Sequence, residues 1–308
     1  MTARVLVGDI GGTNARFGIW QNGSLAGSCQ FPTEQFGSLA ACLPHCERAL
    51  GPFQAVNVAV AGPVEGRRAR LTNASWEADL DAVGLPGRLL NDLEAAGWGL
   101  RTLGPESRRS LVGGGLSEAQ HKAVVGIGTG LGEALALPER VLAGEGGHTL
   151  VSPVGPTERE LLAWAEEDLG REVEWEDLVS GPGLGRIFRF LSRGSKAEVE
   201  RQPDGLLGAW VGTQTELAEA RDAIRMFWSF TGRVCRAAAL RTLPQGGVAI
   251  VGGVAPRLLS SFNAESFEAS YLGNGPLRWR LQRIGVELVE HPALGLLGAG
   301  ACADQLGF

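Results

Sequence analysis

The opening residues set a pattern that recurs later in the chain. An apolar run, Val5-Leu6-Val7, ends on a single acid, Asp9, and two glycines, Gly11 and Gly12, follow it. A short unbroken apolar run stopped by glycine reads as a buried strand. Phe17 and Ile19 then resume a period-2 alternation. Residues 4–19 are therefore predicted to form a β-hairpin with Gly11, Gly12, Thr13 and Asn14 at its tip. Beyond it, Phe36, Leu39, Ala40, Leu43 and Leu50 fall at near-helical spacing ahead of Gly51-Pro52, which predicts a helix over 36–50. Residues 55–61 read as a strand closed by Gly62-Pro63, and 66–80 as a polar hairpin holding the segment Leu71 to Trp76. Leu89-Leu90 forms a short strand ending on Asn91-Asp92, which leads straight into an apolar helix over 93–100. A stretch rich in Pro, Ser and Gly covers 104–118, and a domain boundary is expected near its start.

Residues 123–137 then repeat the opening theme: an apolar strand, the turn Gly128-Thr129-Gly130, and a return strand. Two Gly-Thr hairpins in one chain suggest a duplicated βββαβα architecture with a nucleotide between the halves. Gly144 to His148 reads as a polar loop, and 157–168 as a helix with Thr157 as N-cap and Glu160 three residues on. Ser180-Gly-Pro-Gly183 opens a helix through Phe190, 193–205 is a polar loop, and 214–242 is a long buried helix. A strand before Gly252-Gly253 follows, with Pro256 in the first turn of the next helix. Val286 to Val289 is a last strand, and Ala293 to Leu306 a small-residue helix suited to tight packing across a hinge.

Composition narrows the class. The chain has 308 residues, 44% hydrophobic and 20% charged, which fits an ordinary soluble globular protein with room for two domains. A net charge of −6 leaves no basic surplus to neutralise a phosphate backbone, so nucleic acid is not an expected partner. No apolar run is long enough to span a membrane, and with the first strand opening at Val5 no signal peptide is expected. Cys29, Cys42, Cys46, Cys235 and Cys302 are odd in number and irregularly spaced, which suits reduced thiols in a cytoplasm. Cys42, His45 and Cys46 lie close on one helix but have no second ligand pair, so they read as a buried helix face rather than a zinc site.

The chemistry-bearing positions fall into three groups. The glycine loops offer backbone amides to an anion, and Asp9 beside the first loop is suited to Mg²⁺ held through water. A Walker loop is excluded because neither lysine, Lys122 or Lys196, follows a glycine. A Rossmann loop is excluded because Leu131 stands where its third glycine belongs. Two hairpins gripping phosphates from opposite sides fit, with Gly252-Gly253 as a flat floor under an adenosine. Asp92, at the C-terminal end of a strand, can take the proton of a hydroxyl that attacks phosphorus; it can equally cap the helix that follows, and the two roles can coexist. Glu145 and His148 flank two glycines, and with Glu176 they form a cluster of acceptors and an imidazole of the kind that recognises sugar hydroxyls. A solvated loop or a metal site are the alternatives, although a structural zinc would want thiolates near His148 and the nearest cysteine, Cys235, lies far downstream.

Taken together, Asp9 to Arg16, Ala59 to Val64, Leu71-Thr-Asn, Asn91-Asp92-Leu, Gly128 to Gly132, Glu145-Gly-Gly-His, Ser180 to Leu184 and Gly252 to Arg257 closely resemble the bacterial ATP-dependent glucokinases. The resemblance runs in order over nearly the whole chain. It implies an α/β, two-domain actin-like ATPase (ribonuclease H-like) fold with duplicated cores and an interdomain cleft, a small domain of 1–102 with 291–308, and a large one of 103–290. It implies that Asp92 is the base for the 6-hydroxyl of glucose, with Asn91, Glu145, His148 and Glu176 on the other hydroxyls. Asp9 would sit near Mg²⁺, and Gly12, Thr13, Gly128, Thr129 and Gly130 at the phosphates of ATP. A homodimer is the expectation from the family. Several residues depart from the usual pattern: Ile127 replaces a Pro, Leu93 a Phe, Glu133 a small apolar residue, and Glu176-Asp-Leu-Val the usual Glu-Arg-Val. Glu133 adds negative charge beside the second phosphate loop, and the cysteine-rich zinc motif of the related ROK kinases is absent. Three activities fit: ATP:glucose 6-phosphotransferase, a kinase for another hexose or with another donor such as polyphosphate, and a non-catalytic sugar sensor.

Overall fold

The computed structural model describes residues 3–71, 75–113, 117, 120–193 and 204–307. Within it the chain divides into two compact units. One comprises Met1–Ser107, Ala136–Ala143 and His291–Phe308; the other comprises Arg108–Leu135 and Gly144–Glu290.

The first unit begins with an antiparallel meander of β1 (Val5–Ile10), β2 (Asn14–Gln21) and β3 (Ser24–Pro32), then α1 (Leu39–Leu50). Ser38 caps α1, its Oγ accepting from the Ala41 amide at 3.3 Å, so the helix opens within the predicted span rather than at Phe36. β4 (Ala55–Val60) lies parallel to β1. The predicted polar hairpin is a small antiparallel sheet of β5 (Val64–Glu65), β6 (Arg68–Arg70) and β7 (Glu77–Asp79), followed by the single turn α2 (Leu80–Val83). Thr72, Asn73 and Ala74, inside the motif at Leu71, lie outside the described residues. β8 (Gly87–Asn91), parallel to β4, completes a sheet of order β3-β2-β1-β4-β8 and leads directly into α3 (Asp92–Gly99).

Leu6, Ile10, Phe17, Ile19, Val56, Val58 and Leu89 bury one face of that sheet with Leu39, Cys42 and Cys46 of α1 and with Trp76. Cys42 and Cys46 lie one helical turn apart on the inward face, and the His45 ring packs 4.8 Å from Phe36. The C-terminal helix (Leu294–Leu306) packs on α3, β1 and β4. Its small residues serve this unit's own core: a Cβ on Gly298 would stand 1.7 Å from the Ala95 carbonyl oxygen, and one on Gly300 2.2 Å from the Trp20 ring. Gly298 thus lets two helix backbones of this unit touch, and Gly300 makes room for the Trp20 ring.

The second unit starts with β9 (Arg108–Val112), inside the Pro-, Ser- and Gly-rich stretch at whose start a domain boundary was expected. β10 (Lys122–Ile127) and β11 (Leu131–Ala136) follow, and β12 (Val141–Gly144), whose Val141–Ala143 fall in the first unit's segment, completes the second meander. Next come α4 (Gly155–Leu169), α5 (Gly181–Leu191), α6 (Asp204–Val211) and the long α7 (Ala218–Thr242). β13 (Val248–Val251), α8 (Val254–Arg257), α9 (Ala264–Leu272), α10 (Arg278–Leu281) and β14 (Val286–Val289) close the unit. The sheet order is β12-β11-β10-β13-β14-β9, with β13 parallel to both β10 and β14. Its first five strands repeat the connectivity of the first sheet, and β9 adds an antiparallel edge strand to β14.

α4 corrects the predicted cap. Its N-cap is Val154, Pro156 sits in the first turn, and Thr157 lies inside the helix. The Val154 amide donates to the Glu158 carboxylate at 2.6 Å, so Glu158 makes the reach-back contact to the N-cap amide that was expected of Glu160. α7 runs through the core, burying Ile224, Phe227, Trp228, Phe230 and Val234 against Phe267 and Tyr271 of α9. Full burial of one such side chain stabilises by roughly 1.5–3 kcal/mol.

Candidate functional site

In the first unit, β1 delivers Asp9 to the end of the hairpin and the chain turns through Gly11–Asn14. The turn is held by its ends. The Gly11 amide donates to the Asn14 carbonyl at 3.0 Å, the Thr33 hydroxyl donates to the Gly11 carbonyl at 2.7 Å, and the Thr33 amide donates to the Thr13 carbonyl at 3.0 Å. Asn14 spends its Oδ1 on Gln30, 2.8 Å away, while Gly12 and Thr13 stay exposed at the tip. Asp9 faces the start of the C-terminal helix, where a Cβ on Gly295 would meet its carboxylate carbon at 2.6 Å. Burial raises its pKa, and the Arg16 guanidinium, 4.0 Å away, opposes that shift.

Asn91 and Asp92 divide the work at the β8–α3 junction. The cap is Asn91, whose Oδ1 accepts from the Leu93 amide at 2.9 Å while its Nδ2 donates to the Gly62 carbonyl at 3.4 Å. Asp92 is the first residue of α3, with Oδ1 also 2.9 Å from the Leu93 amide. The cap role considered for Asp92 thus passes to its neighbour. Asp92 places its carboxylate in the first turn of α3, at the end of β8.

In the second unit the Gly128-Thr129-Gly130 turn closes on itself, the Gly128 amide donating to the Gly130 carbonyl at 2.9 Å. Two neighbours frame it. The Gly181 amide at the head of α5 donates to the Gly128 carbonyl at 2.9 Å. Gly252, at φ +100°, backs onto the end of β10, where a Cβ would stand 2.3 Å from the Ile127 carbonyl oxygen. The structure therefore brings Gly128, Thr129 and Gly130 together with Gly252 and Gly253, the latter two exposed. At Gly12, Gly128 and Gly253 a Cβ would meet no described atom within 4 Å, and their φ lies outside the left-handed range. Nothing in the protein's own described packing demands glycine at these three positions.

The acceptor cluster is assembled differently from its expectation. Gly146–His148 is a 3-10 turn, packed so closely on β11 that a Cβ on Gly147 would sit 1.9 Å from the Leu131 carbonyl oxygen. Glu145 and His148 are exposed, with Glu145 Oε2 3.9 Å from His148 Nε2. Glu176 faces the Gly128–Gly130 turn: its Oε2 accepts from the Leu131 amide at 2.8 Å, and a Cβ on Gly130 would lie 2.5 Å from it. The partner of His148 is Glu174, whose Oε2 lies 2.8 Å from Nδ1. That residue escaped the sequence reading, although its three-residue spacing to Asp177 is a capping pattern. The Glu174 amide donates to Asp177 Oδ2 at 2.9 Å, and Arg171 grips both Asp177 oxygens at 2.8 and 2.9 Å. The departure at Asp177 is thus the anchor of this turn.

Glu133 is also placed otherwise than expected. Its carboxylate turns under Gly146, where a Cβ would approach it to 2.2 Å, and Arg241 binds it at 2.9 Å. Burial raises its pKa and Arg241 opposes the shift. Its charge is thus answered by a guanidinium and lies against the Gly146 turn. Among the described residues no group of three or more His, Cys, Asp or Glu is arranged to hold a metal, and no helix is long and apolar enough to cross a membrane.

The comparisons agree on class and family. The structure superposes on a solved glucokinase from an Antarctic psychrotroph with TM-score 0.83 and 26% identity, covering 97% of this chain and 98% of that one. It also matches a ROK family glucokinase from Streptomyces griseus in complex with glucose and AMPPNP, at TM-score 0.68 and 22% identity, covering 98% and 99%. The fold is that of the actin-like ATPase sugar kinases. A curated glucokinase of Tolumonas auensis is 33% identical over 100% of this chain and 99% of its own length. The glucokinase family model matches residues 6–306, and the chain belongs to that family, whose members are hexose kinases.

Proposed function

We propose that the enzyme transfers the γ-phosphoryl group of ATP to the 6-hydroxyl of glucose. The observation that carries the mechanism is the Asn91–Asp92 step: a helix start capped by Asn91 that presents the Asp92 carboxylate at the end of β8, the edge strand parallel to β4. In the reaction the O6–phosphorus bond forms, the bond from phosphorus to the ADP oxygen breaks, and the 6-hydroxyl proton passes to Asp92. Phosphoryl transfer needs mainly positioning and charge stabilisation beyond such a base. Asn91, Glu145, His148 and Glu176 hold the other hydroxyls. Gly11, Gly12, Thr13, Asn14, Gly128, Thr129 and Gly130 address the phosphates, with Gly252 and Gly253 beneath the adenosine. The open positions at Gly12, Gly128 and Gly253 support close approach of a ligand to the backbone.

Mg²⁺ fits Asp9. The carboxylate ends the strand next to the exposed Gly12–Thr13 tip and its side chain is 27% accessible, as suits a cation held through water beside phosphates. When bound, the ion neutralises phosphate charge. We further propose a small domain of 1–102 with 291–308 and a large one of 103–290; the compact-unit division supports this and differs in assigning 103–107 and the segment 136–143 to the first unit. A place in glycolysis, in the cytoplasm, and a homodimeric state complete the reading.

The test is Asp92→Asn. A positioned general base contributes on the order of 10²–10⁴-fold to rate, so kcat should fall by that factor while glucose affinity changes little. Near-normal turnover would overturn the assignment of the base. Coupled assays with mannose, amino sugars and polyphosphate in place of glucose and ATP separate the other kinase readings.

A further inference from the structure

The imidazole of His148 stands between two carboxylates. Its Nδ1 lies 2.8 Å from Glu174 Oε2, and its Nε2 lies 3.9 Å from Glu145 Oε2. Only the first distance is that of a hydrogen bond. Glu174 is itself held: its amide donates to Asp177, Asp177 is gripped at both oxygens by Arg171, and Arg186 donates to the Asp177 carbonyl at 2.8 Å. The backbone ties the two segments together as well. The Trp175 amide donates to the Thr149 carbonyl, and the Val151 amide to the Val173 carbonyl, both at 3.0 Å. A chain of contacts thus runs from the buried Asp177 through Glu174 to a half-exposed imidazole, and ends at its Nε2.

We propose that Glu174 is a positioning residue for sugar recognition: its carboxylate holds the Nδ1 edge of His148 and so leaves Nε2, beside Glu145, as the nitrogen that meets a hexose hydroxyl. This rests on the reading of His148 as a sugar contact. A ring with one nitrogen committed to a carboxylate has one orientation and, when neutral, one tautomer. Protonated, Nε2 donates to a hydroxyl oxygen; neutral, with Nδ1–H kept on Glu174, Nε2 accepts from the hydroxyl. Glu174 also governs when that exchange happens. The Glu174 bond is the largest cause raising the His148 pKa, burial works against it, and the charges of Glu176, Glu174 and Glu145 add to it. Arg171, 3.8 Å from Glu174 Oε2, is the cation of the same cluster. The direction is therefore toward an imidazolium that persists to higher pH than an unperturbed histidine's.

The experiment compares the full-length wild type with Glu174→Gln and His148→Ala. Glutamine keeps a hydrogen-bond acceptor for Nδ1 but removes the charge, and the main-chain bonds between 149–151 and 173–175 preserve the turn. The protein has four histidines, so the His148 ring resonance is assigned by its loss in His148→Ala and titrated without ligand. In Glu174→Gln its midpoint should move to lower pH. The KM for glucose should rise about 3–10-fold near neutral pH with kcat within about two-fold, the split expected when a contact made in both ground and transition states is weakened. The pH inflection of KM should move with the ring's midpoint. An unmoved midpoint, or a KM profile that superposes on wild type while His148→Ala raises KM, overturns the proposal for Glu174 alone. A wild-type KM for glucose in His148→Ala overturns the sugar-contact reading and the proposal with it.

Discussion

At the scale of single residues, glycines divide into those the protein needs and those it does not. A Cβ on Gly147 would collide with the Leu131 carbonyl, whereas one on Gly12 or Gly128 meets no described atom within 4 Å. Gly147→Ala should therefore destabilise by about 1–3 kcal/mol, the usual effect of overpacking against a backbone that cannot yield. Gly12→Ala and Gly128→Ala should change stability by less than about 0.5 kcal/mol. If phosphates approach these two positions, the same substitutions should raise the KM for ATP about ten-fold, equivalent to about 1.4 kcal/mol. Urea denaturation alongside ATP-dependent kinetics checks both halves. Unchanged KM in both variants would remove these turns from the nucleotide site.

Side-chain partners are where sequence reading runs out at this scale. Glu176 was legible as an acidic residue before Ser180-Gly-Pro-Gly183, but its bond to the Leu131 amide joins positions 45 apart in the chain. Glu133 and Arg241 are separated by 108. Such pairs depend on how strands and helices are stacked, and no local period records that. Glu174 was missed for the same reason: its function in the turn is defined by His148 on another segment.

At the scale of elements, the strands and helices with strong periods were legible, and those formed by their neighbours were not. β1, β4, β10, β13 and β14 are apolar runs closed by turn residues, β2 an alternating strand, and each lies where its pattern places it. β9 reads Arg-Arg-Ser-Leu-Val, a polar start that resembles linker; it becomes a strand because β14 offers it an unpaired edge. α9 was not anticipated, and its inward face, Phe267, Tyr271 and Leu272, is covered by α7. The C-terminal helix was anticipated, but its packing partner was not. Because Gly298 lies against the Ala95 carbonyl, Gly298→Ala should force that helix from α3 and lower stability by about 2–3 kcal/mol. Thermal denaturation measures this, and an unchanged midpoint would refute the close helix contact.

At the scale of the whole molecule, two sheets share one connectivity, β3-β2-β1-β4-β8 and β12-β11-β10-β13-β14, with a Gly-Thr turn joining β1 to β2 in one and β10 to β11 in the other. A ligand bound only by the native state stabilises it by RT ln(1 + [L]/Kd). Glucose at a hundred times its Kd should therefore raise stability by about 2.7 kcal/mol, read as an upward shift of the thermal midpoint. A sugar that is not bound leaves the midpoint in place. Absence of a shift with glucose, together with a shift for another hexose, would reassign the substrate.

The sequence by itself determined the duplicated strand pattern, the two glycine turns, the order of the motifs and the acid at the head of α3. All of these are short-range: a period, a turn residue or a cap is written within a few adjacent positions. That Asn91 rather than Asp92 is the cap, that Glu133 is answered by Arg241, and that His148 leans on Glu174 emerged only from the tertiary structure. Those outcomes turn on angstrom-scale distances between segments remote in the chain, which packing sets and local sequence does not encode.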